Sequence, residues 1–539
     1  MKYQKRVSLL YCTLIFICSL LMARLYNLSK SETNKSMEVL DGQYTGKISV
    51  CERNGFVYDR GGNIISHKKS GKVLLVNPAE VADAYSCAKK LSEISIFSTA
   101  SEIYEKIISG IPFTVAAEQN ETIRQTDGIY VFDTYEEETA IAKHFLGYFD
   151  ADGKGVCGLR GAYSDYLGKE LYSKVTARFD TNAKRISLSP LDISTGKYLS
   201  SDGVVTTLDK DLQIFCDALK EEISSGAVVV ADAKNGEILA MSSFPTFDKE
   251  NIAEILNSSK GELVNRAVES FTPGSVFKVV VAAAAIEKDE TLFDYKYCCE
   301  GKIEVEGNVF RCHKHSGHGE MDMQRAFAES CNTYFISLGK ITGLSRIAGL
   351  CRKLGLDKAL EADFISETRN FFPDENSESE GYLANISFGQ GDLCFSPIDM
   401  TRIAIAVSTG YAVPLSTVKG EIRDGVFVAD ETGEKMRILD ESTCQKMLAM
   451  MRKCVEEGTG KAGKVKGVNT GGKTATAQTG RFDKDGVEYV HKWFCGVYPA
   501  ENPRISVCVL VDNETESNVS PSEVFGKICS FLLKKDMEK

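Results

Sequence analysis

A serine, a lysine and a run of apolar residues give the first sign of covalent chemistry. In Pro273-Gly274-Ser275-Val276-Phe277-Lys278 the hydroxyl and the amine stand three residues apart, and Val279 to Ile286 follows without a charge, which reads as a buried helix. Positions i and i+3 share a helix face, so the Lys278 amine is placed to reach the Ser275 hydroxyl. Burial lowers a lysine pKa and frees a neutral amine to act as a base, while the helix start favours developing negative charge. The spacing alone discriminates little: Ser66/Lys69, Ser86/Lys89 and Ser194/Lys197 repeat it in polar settings that read as solvated surface. Only Ser275 opens a buried helix. Ser330-Cys331-Asn332 and Gly472-Lys473-Thr474-Ala475-Thr476 add two further groups of hydroxyl, amide and amine side chains.

These residues need a frame, and 539 residues that are 43% hydrophobic and 26% charged can supply several cores. The formal net charge of −11 gives no electrostatic reason to bind nucleic acid, and polyphosphates drop down the order of ligands. Lys2, Lys5 and Arg6 precede Val7–Ala23, an uncharged stretch with no small-x-small cleavage site after it. Residues 1–28 therefore read as a cytoplasmic tip and an uncleaved single-pass membrane anchor, long enough for the ~30 Å hydrocarbon core, with the rest of the chain outside the cytoplasm. Residues 29–200 alternate polar and β-branched stretches with Gly-rich breaks, as expected of a β-rich domain. From 201 to 539 the pattern changes. Val204–Leu208 reads as a strand and Asp211–Glu222 as a helix. Ala227–Ala231 and Ile238–Met241 form a hairpin across Asn235-Gly236. Trp493–Tyr498 and Ile505–Val511 make another strand pair, and Ser522–Leu533 has helical spacing. The expected fold is α+β (mixed α/β), with one antiparallel sheet flanked by helices.

In this order, Ser-x-x-Lys, Ser-x-Asn and Lys-Thr-x match the motif set of penicillin-binding proteins and serine β-lactamases. The chain resembles class B penicillin-binding proteins, the membrane-anchored peptidoglycan D,D-transpeptidases. Asn235 to Met241 with Pro245, Asn265-Arg266-Ala267, Gly389-Gln390-Gly391 with Pro397, and Trp493-Phe494 with Gly496 and Pro499 look like the family's supporting motifs. Tyr58-Asp59-Arg60 and Gly155 with Tyr163, Leu167 and Gly168 resemble those of its N-terminal pedestal, the dimerisation-type domain. The resemblance implies that Ser275 attacks the penultimate D-Ala carbonyl of a stem peptide ending in D-Ala-D-Ala and that Lys278 takes its proton. Ser330 relays that proton to the leaving amine, and Asn332 bonds the substrate amide. Lys473 supplies positive charge, Thr474 and Thr476 hold the terminal carboxylate, and the N–H groups of Ser275 and Thr476 form an oxyanion hole. It further implies covalent binding of β-lactam antibiotics and a polytopic glycosyltransferase partner. Three positions depart from the family pattern. Arg160 stands where the pedestal has an acid, Arg53 sits one position early, and Ala475 replaces a glycine inside the site.

The chain has 17 cysteines, scattered from Cys12 to Cys529 without a repeated Cys-x-x-Cys spacing, which argues against a zinc ribbon or an iron–sulfur protein. Three of the six histidines fall in Cys312-His313-Lys314-His315-Ser316-Gly317-His318, downstream of Cys298-Cys299. Cys299, Cys312 and His318 offer soft ligands for a structural zinc, with His315, His313 or Cys331 as the fourth. A Cys299–Cys312 disulfide is the competing arrangement. The chemistry itself requires no cofactor, and some family members carry a zinc between the first and second motifs.

Two rival functions use the same nucleophile. A membrane-anchored serine β-lactamase would need a carboxylate to activate water and has little use for a pedestal of about 170 residues. A β-lactam sensor would carry several membrane spans, whereas this chain has one candidate.

Overall fold

The computed structural model describes residues 13–27, 45–118, 128–138, 140–168, 171–178, 192–194, 201–358, 361–363, 365–366, 371, 373–374, 376–431, 433–514 and 519–538. Residues 13–27 are helical with exposed side chains. Among the described residues no helix is long and apolar enough to cross a membrane. Residues 1–12 and 28, which belong to the expected anchor, lie outside the described residues.

The chain forms two compact units. The first takes residues 1–54, 69–136 and 170–200. Its three-stranded sheet has 67–76 between 113–117 and 129–137, and two helices, Ala84–Ile94 and Ala100–Ser109, lie over it. Leu74, Val76, Leu91, Ile103 and Val115 are fully buried between them. Thr99 and Glu102 close the second helix with a reciprocal capping box. A further sheet has 171–178 between 45–53 and 192–194, so the unit is β-rich as the sequence indicates.

The second unit takes residues 55–68, 137–169 and 201–539. The sequence boundary near 200 thus does not bound this unit, because two earlier segments pack into it. Phe56–Tyr58 extends a sheet built on Gly203–Thr206, Val418–Arg423 and Val426–Ala429, and Val57, Phe145 and Leu159 join Val204, Ile238 and Ile405 in one core. Arg160 forms an ion pair with Glu137 at 2.8 Å and donates to the Gly147 carbonyl at 2.8 Å, so its charge is paired within this unit.

The main sheet of the second unit has five antiparallel strands: β1 (Gly226–Asp232), β2 (Ile238–Phe244), β3 (Gly471–Phe482), β4 (Glu488–Tyr498) and β5 (Ile505–Glu514), in the spatial order β2-β1-β5-β4-β3. Period-2 alternation divides its side chains between two cores. Cys508 and Leu510 face α1 (Lys278–Lys288), α2 (Asn332–Thr342), α3 (Pro397–Thr409) and α4 (Glu441–Glu456), whereas Val507, Val509 and Val511 face α5 (Pro521–Met537) and the helix 210–218. Every residue of α1 from Lys278 to Ile286 is buried. The Ala-rich stretch lets this helix run through the middle of the unit, because small side chains leave room for the helices on each side.

A buried ionic cluster braces the loop that leads into α1. Arg266 Nε donates to Asp512 Oδ2 at 3.2 Å, and His491 Nδ1 faces Asp512 Oδ1 at 3.0 Å. His491 meets the Phe271 ring edge-on, and Trp493 Nε1 donates to the Thr272 carbonyl at 3.1 Å. Burial alone would raise the Asp512 pKa, but the facing His491 and Arg266 outweigh it and hold the carboxyl below its ordinary value. A lowered folded pKa contributes stability above the unfolded pKa of about 3.9 and loses it as pH falls through the folded value. Asp512→Ala strands a buried guanidinium and should cost about 3–5 kcal/mol in denaturant unfolding at neutral pH. The gap between the two proteins should narrow in acid.

Candidate active site

Ser275 lies in a 3-10 turn, Gly274–Phe277, that runs directly into α1. The turn begins with Gly274 at φ +56°, where any Cβ would lie 3.0 Å from that of Ala477 and 3.3 Å from that of Ala475. Glycine therefore lets the nucleophile's turn lie directly on β3.

Lys278 is wholly buried at the start of α1. Its Nζ lies 2.8 Å from the Ser330 carbonyl, 2.8 Å from Asn332 Oδ1 and 3.3 Å from Ser330 Oγ, and 5.4 Å from the centre of the Phe335 ring. Burial, joined by the charge on Lys473, pushes its pKa well below the ordinary lysine value. A neutral amine keeps two N–H groups for the two pure acceptors and retains a lone pair that can accept a proton. The amine is thus tied to the second motif as well as placed on the helical turn of Ser275.

Ser330 adopts a left-handed φ of 56°. A non-glycine residue there costs of order 1–3 kcal/mol and persists only where its surroundings hold it. Here Cys331 N donates to the Ala326 carbonyl at 2.9 Å, Lys278 grips the Ser330 carbonyl, and Asn332 starts α2.

Lys473 and Thr474 sit on β3, the edge strand of the main sheet. Lys473 is buried, its pKa is lowered by desolvation, and its Nζ donates to the Thr474 carbonyl at 2.9 Å. Ser275, Ser330, Asn332, Thr474, Ala475 and Thr476 line one open cleft of about 700 Å³, with His313, Thr459, Lys492 and Trp493 around them. The three groups picked out in the sequence therefore meet in one place.

The cysteines and histidine cluster beside that cleft. Cys299, Cys312, His318 and Cys331 are all buried, and their ligand atoms lie within 4.8 Å of one another. His318 Nδ1 is 3.5 Å from both the Cys299 and Cys312 sulfurs, and Cys312 Sγ is 3.8 Å from Cys331 Sγ. A tetrahedral zinc with bonds of about 2.3 Å to sulfur and 2.0–2.1 Å to nitrogen needs edges of about 3.8 Å (S···S) and 3.6 Å (S···N), so the donor set fits that ion. Cys331 would supply the fourth corner. His313 and His315 stand outside the group, and Cys299 and Cys312 are free thiols rather than a disulfide. The other ring nitrogen of His318 lies 3.7 Å from Glu329, whose carboxylate accepts from Arg325 Nε at 2.7 Å.

Residues 226–530 match the model of the penicillin binding protein transpeptidase domain. The chain belongs to this family. Within it, the relatives are class B penicillin-binding proteins. Stage V sporulation protein D of Bacillus subtilis is 28% identical over 494 residues, spanning 85% of this chain and 74% of that protein. Peptidoglycan D,D-transpeptidase FtsI of Buchnera aphidicola is 22% identical over 97% of this chain and 94% of its own length. A chain from a solved peptidoglycan synthase complex, described as coordinating polymerization and crosslinking, superposes with a TM-score of 0.67 at 23% identity, over 97% of each chain.

One feature of this penicillin-binding protein's cleft and one of the buried ionic cluster behind it were missed from sequence. Thr459, in Gly458-Thr459-Gly460, reaches Thr474, and the clue was available in its two glycines: a Cβ on Gly458 would lie 2.2 Å from the Ala328 carbonyl oxygen. His491 carried no recognisable spacing. Gly274 opposite Ala475 leaves room for its methyl, since a Cβ at Gly274 would lie 3.3 Å from that of Ala475. Ala475→Gly should therefore leave the rate of acylation by a penicillin unchanged in stopped-flow and lower stability by about 0.5–1 kcal/mol through backbone freedom. A faster rate would mean that the methyl crowds the site.

Proposed function

We propose that this class B penicillin-binding protein is a peptidoglycan D,D-transpeptidase that joins stem peptides through an acyl-serine at Ser275. The observation that carries the reading is the single cleft in which Ser275, Ser330, Asn332, Thr474 and Thr476 converge over the buried amine of Lys278. Neutral Lys278 takes the Ser275 proton as Oγ attacks the carbonyl carbon of the penultimate D-Ala. The N–H groups of Ser275 and Thr476 receive the oxyanion, each donor being worth about 2.7–4 kcal/mol. Asn332 bonds the substrate amide, while Thr474 and Thr476, with the charge of Lys473 behind them, hold the terminal carboxylate. Ser330 passes the proton from Lys278 to the departing amine, the C–N bond breaks, and D-Ala leaves. The amine of a second strand then attacks the ester, its proton returns through Lys278 to Ser275 Oγ, and a crosslink remains. A β-lactam enters the same first step and stops as a stable ester.

We also infer that residues 1–28 anchor the protein in the cell membrane with the N-terminus cytoplasmic. The uncharged stretch Val7–Ala23 and the exposed apolar side chains of the helix at 13–27 support this. The glycosyltransferase partner is supported by the likeness to a chain of a complex that couples polymerization to crosslinking.

The buried Cys299, Cys312, His318 and Cys331 would hold one structural zinc. With four protein ligands such an ion has no open position, so its role is to fix the Cys299–His318 loop against Cys331.

Two experiments test these readings. Fluorescent penicillin applied to fractionated cells should label this protein in the membrane fraction, and peptide mapping should place the label on Ser275. Ser275→Ala and Lys278→Ala should abolish labelling, and the labelling rate should rise with pH through a group titrating well below the usual lysine pKa of about 10.4. Rapid drug turnover would indicate a β-lactamase, and a soluble product beginning near residue 25 a cleaved signal. For the metal, protein purified without added zinc should carry one equivalent, and a strong chelator should lower both the melting temperature and the labelling rate, since site formation is linked to folding. Metal-free protein with an unchanged melt overturns the zinc reading.

A further inference from the structure

Thr459 follows the end of α4 and is held from both sides of the cleft. Its backbone N–H donates to the Ala328 carbonyl at 3.0 Å, two residues before Ser330. Its hydroxyl meets the Thr474 hydroxyl at 2.5 Å and lies 3.6 Å from the buried thiol of Cys454. It also lines the cleft with Ser275 and Thr476.

Hydroxyl protons can be counted. Each threonine has one O–H, so only one of the two donates across the Thr459–Thr474 contact. If Thr474 donates inward, its lone pairs face the cleft, and a substrate carboxylate meets acceptors rather than a donor. If Thr459 donates to Thr474, the Thr474 proton is free for the carboxylate, and Cys454 can donate its S–H to Thr459 in turn. The chain Cys454 S–H to Thr459 O–H to Thr474 O–H then ends on the substrate's negative charge, and each link polarises the next. An anion in the cleft selects this direction, since charge-assisted hydrogen bonds are the stronger ones.

We propose that Thr459 is a positioning residue for this reaction, which holds the Thr474 hydroxyl as a donor to the terminal carboxylate of the peptidyl donor. The inference rests on the transpeptidase reading above and deepens it. It assigns part of the discrimination for a free carboxylate over a neutral chain end to a residue outside the three motifs. The backbone bond to Ala328 also sets the distance between the second motif and the carboxylate site.

A matched pair of thioesters tests it: N-benzoyl-D-alanyl thioglycolate, with a terminal carboxylate, and its uncharged carboxamide. Acylation of the full-length protein is followed by loss of thioester absorbance, with Ser275 acylation checked by mass spectrometry. In Thr459→Val the rate constant for the carboxylate should fall about tenfold, the size of one lost hydrogen bond to a charged group, while that for the carboxamide stays unchanged. Thr459→Ser, which keeps the hydroxyl, should restore the preference. If the valine variant does not fold, Thr459→Ala must show the same contrast. Equal losses on both substrates, or no loss on either, overturn the proposal. Failure of the wild-type protein to acylate Ser275 with either thioester would instead overturn the transpeptidase reading on which it stands.

Discussion

An amine with no exposed surface lies beneath the active-site cleft, and the demand it makes on its neighbours explains much of that cleft. Stripped of water, a charged Lys278 would cost several kcal/mol even after relaxation, so it must lose its proton or find partners for its N–H groups. Both solutions are present. Burial behind the apolar helix α1 and the charge on Lys473 disfavour the charge, and the Ser330 carbonyl with Asn332 Oδ1 satisfies two N–H groups. For those acceptors to arrive, Ser330 must turn into a left-handed conformation and α2 must begin at Asn332. The shape of the second motif is therefore a consequence of the burial of the first. The same burial prepares the amine to take a proton, so in the proposed mechanism the feature that threatens stability is the one that would make the serine a nucleophile.

The clustered cysteines and histidine extend this dependence outward. Cys331 stands between Ser330 and Asn332, and Glu329, immediately before them, faces the His318 ring. Every residue from 329 to 332 is engaged either by the lysine or by the Cys/His group. A loop with a strained residue at its centre needs such over-determination, because an unsupported left-handed serine would relax towards an ordinary conformation. The zinc proposed for this group would have no part in moving protons. Its work would be to keep an energetically unfavourable turn in place.

The nucleophile's helix, the hairpin across Asn235-Gly236, the final strand pair and the last helix were legible in the sequence because each rests on a local pattern: an uncharged run, a turn dipeptide, or alternating and helical spacing. The motif residues were legible because their types are restrictive. What escaped notice depends on contacts between distant positions. Thr459 looks like any threonine between glycines until β3 is laid beside it, and Cys331 competed with His313 and His315 for the fourth ligand position until the fold placed its sulfur. The two earlier segments of the second unit escaped for the same reason, although its last segment does begin at residue 201. Phe56–Tyr58 has the pattern of a strand, but nothing near it says that its partner is Gly203–Thr206, almost 150 residues further on.

That last pairing bears on how the chain acquires its structure. The catalytic unit is written in three pieces, and Val57, Phe145 and Leu159 are needed to complete a core that also contains Ile405 and Val418. The earliest of these residues are synthesised some 350 positions before the latest, so they must wait, apolar and uncovered, until the remainder arrives. Late closure of distant contacts is slow and leaves a partly made chain prone to aggregation. A polypeptide starting at residue 201 would carry every motif of the active site and yet lack one wall of that core. Its strand Gly203–Thr206 would present an unpaired edge where Phe56–Tyr58 should lie. The smallest autonomous piece of this enzyme is therefore larger than the stretch that holds its chemistry.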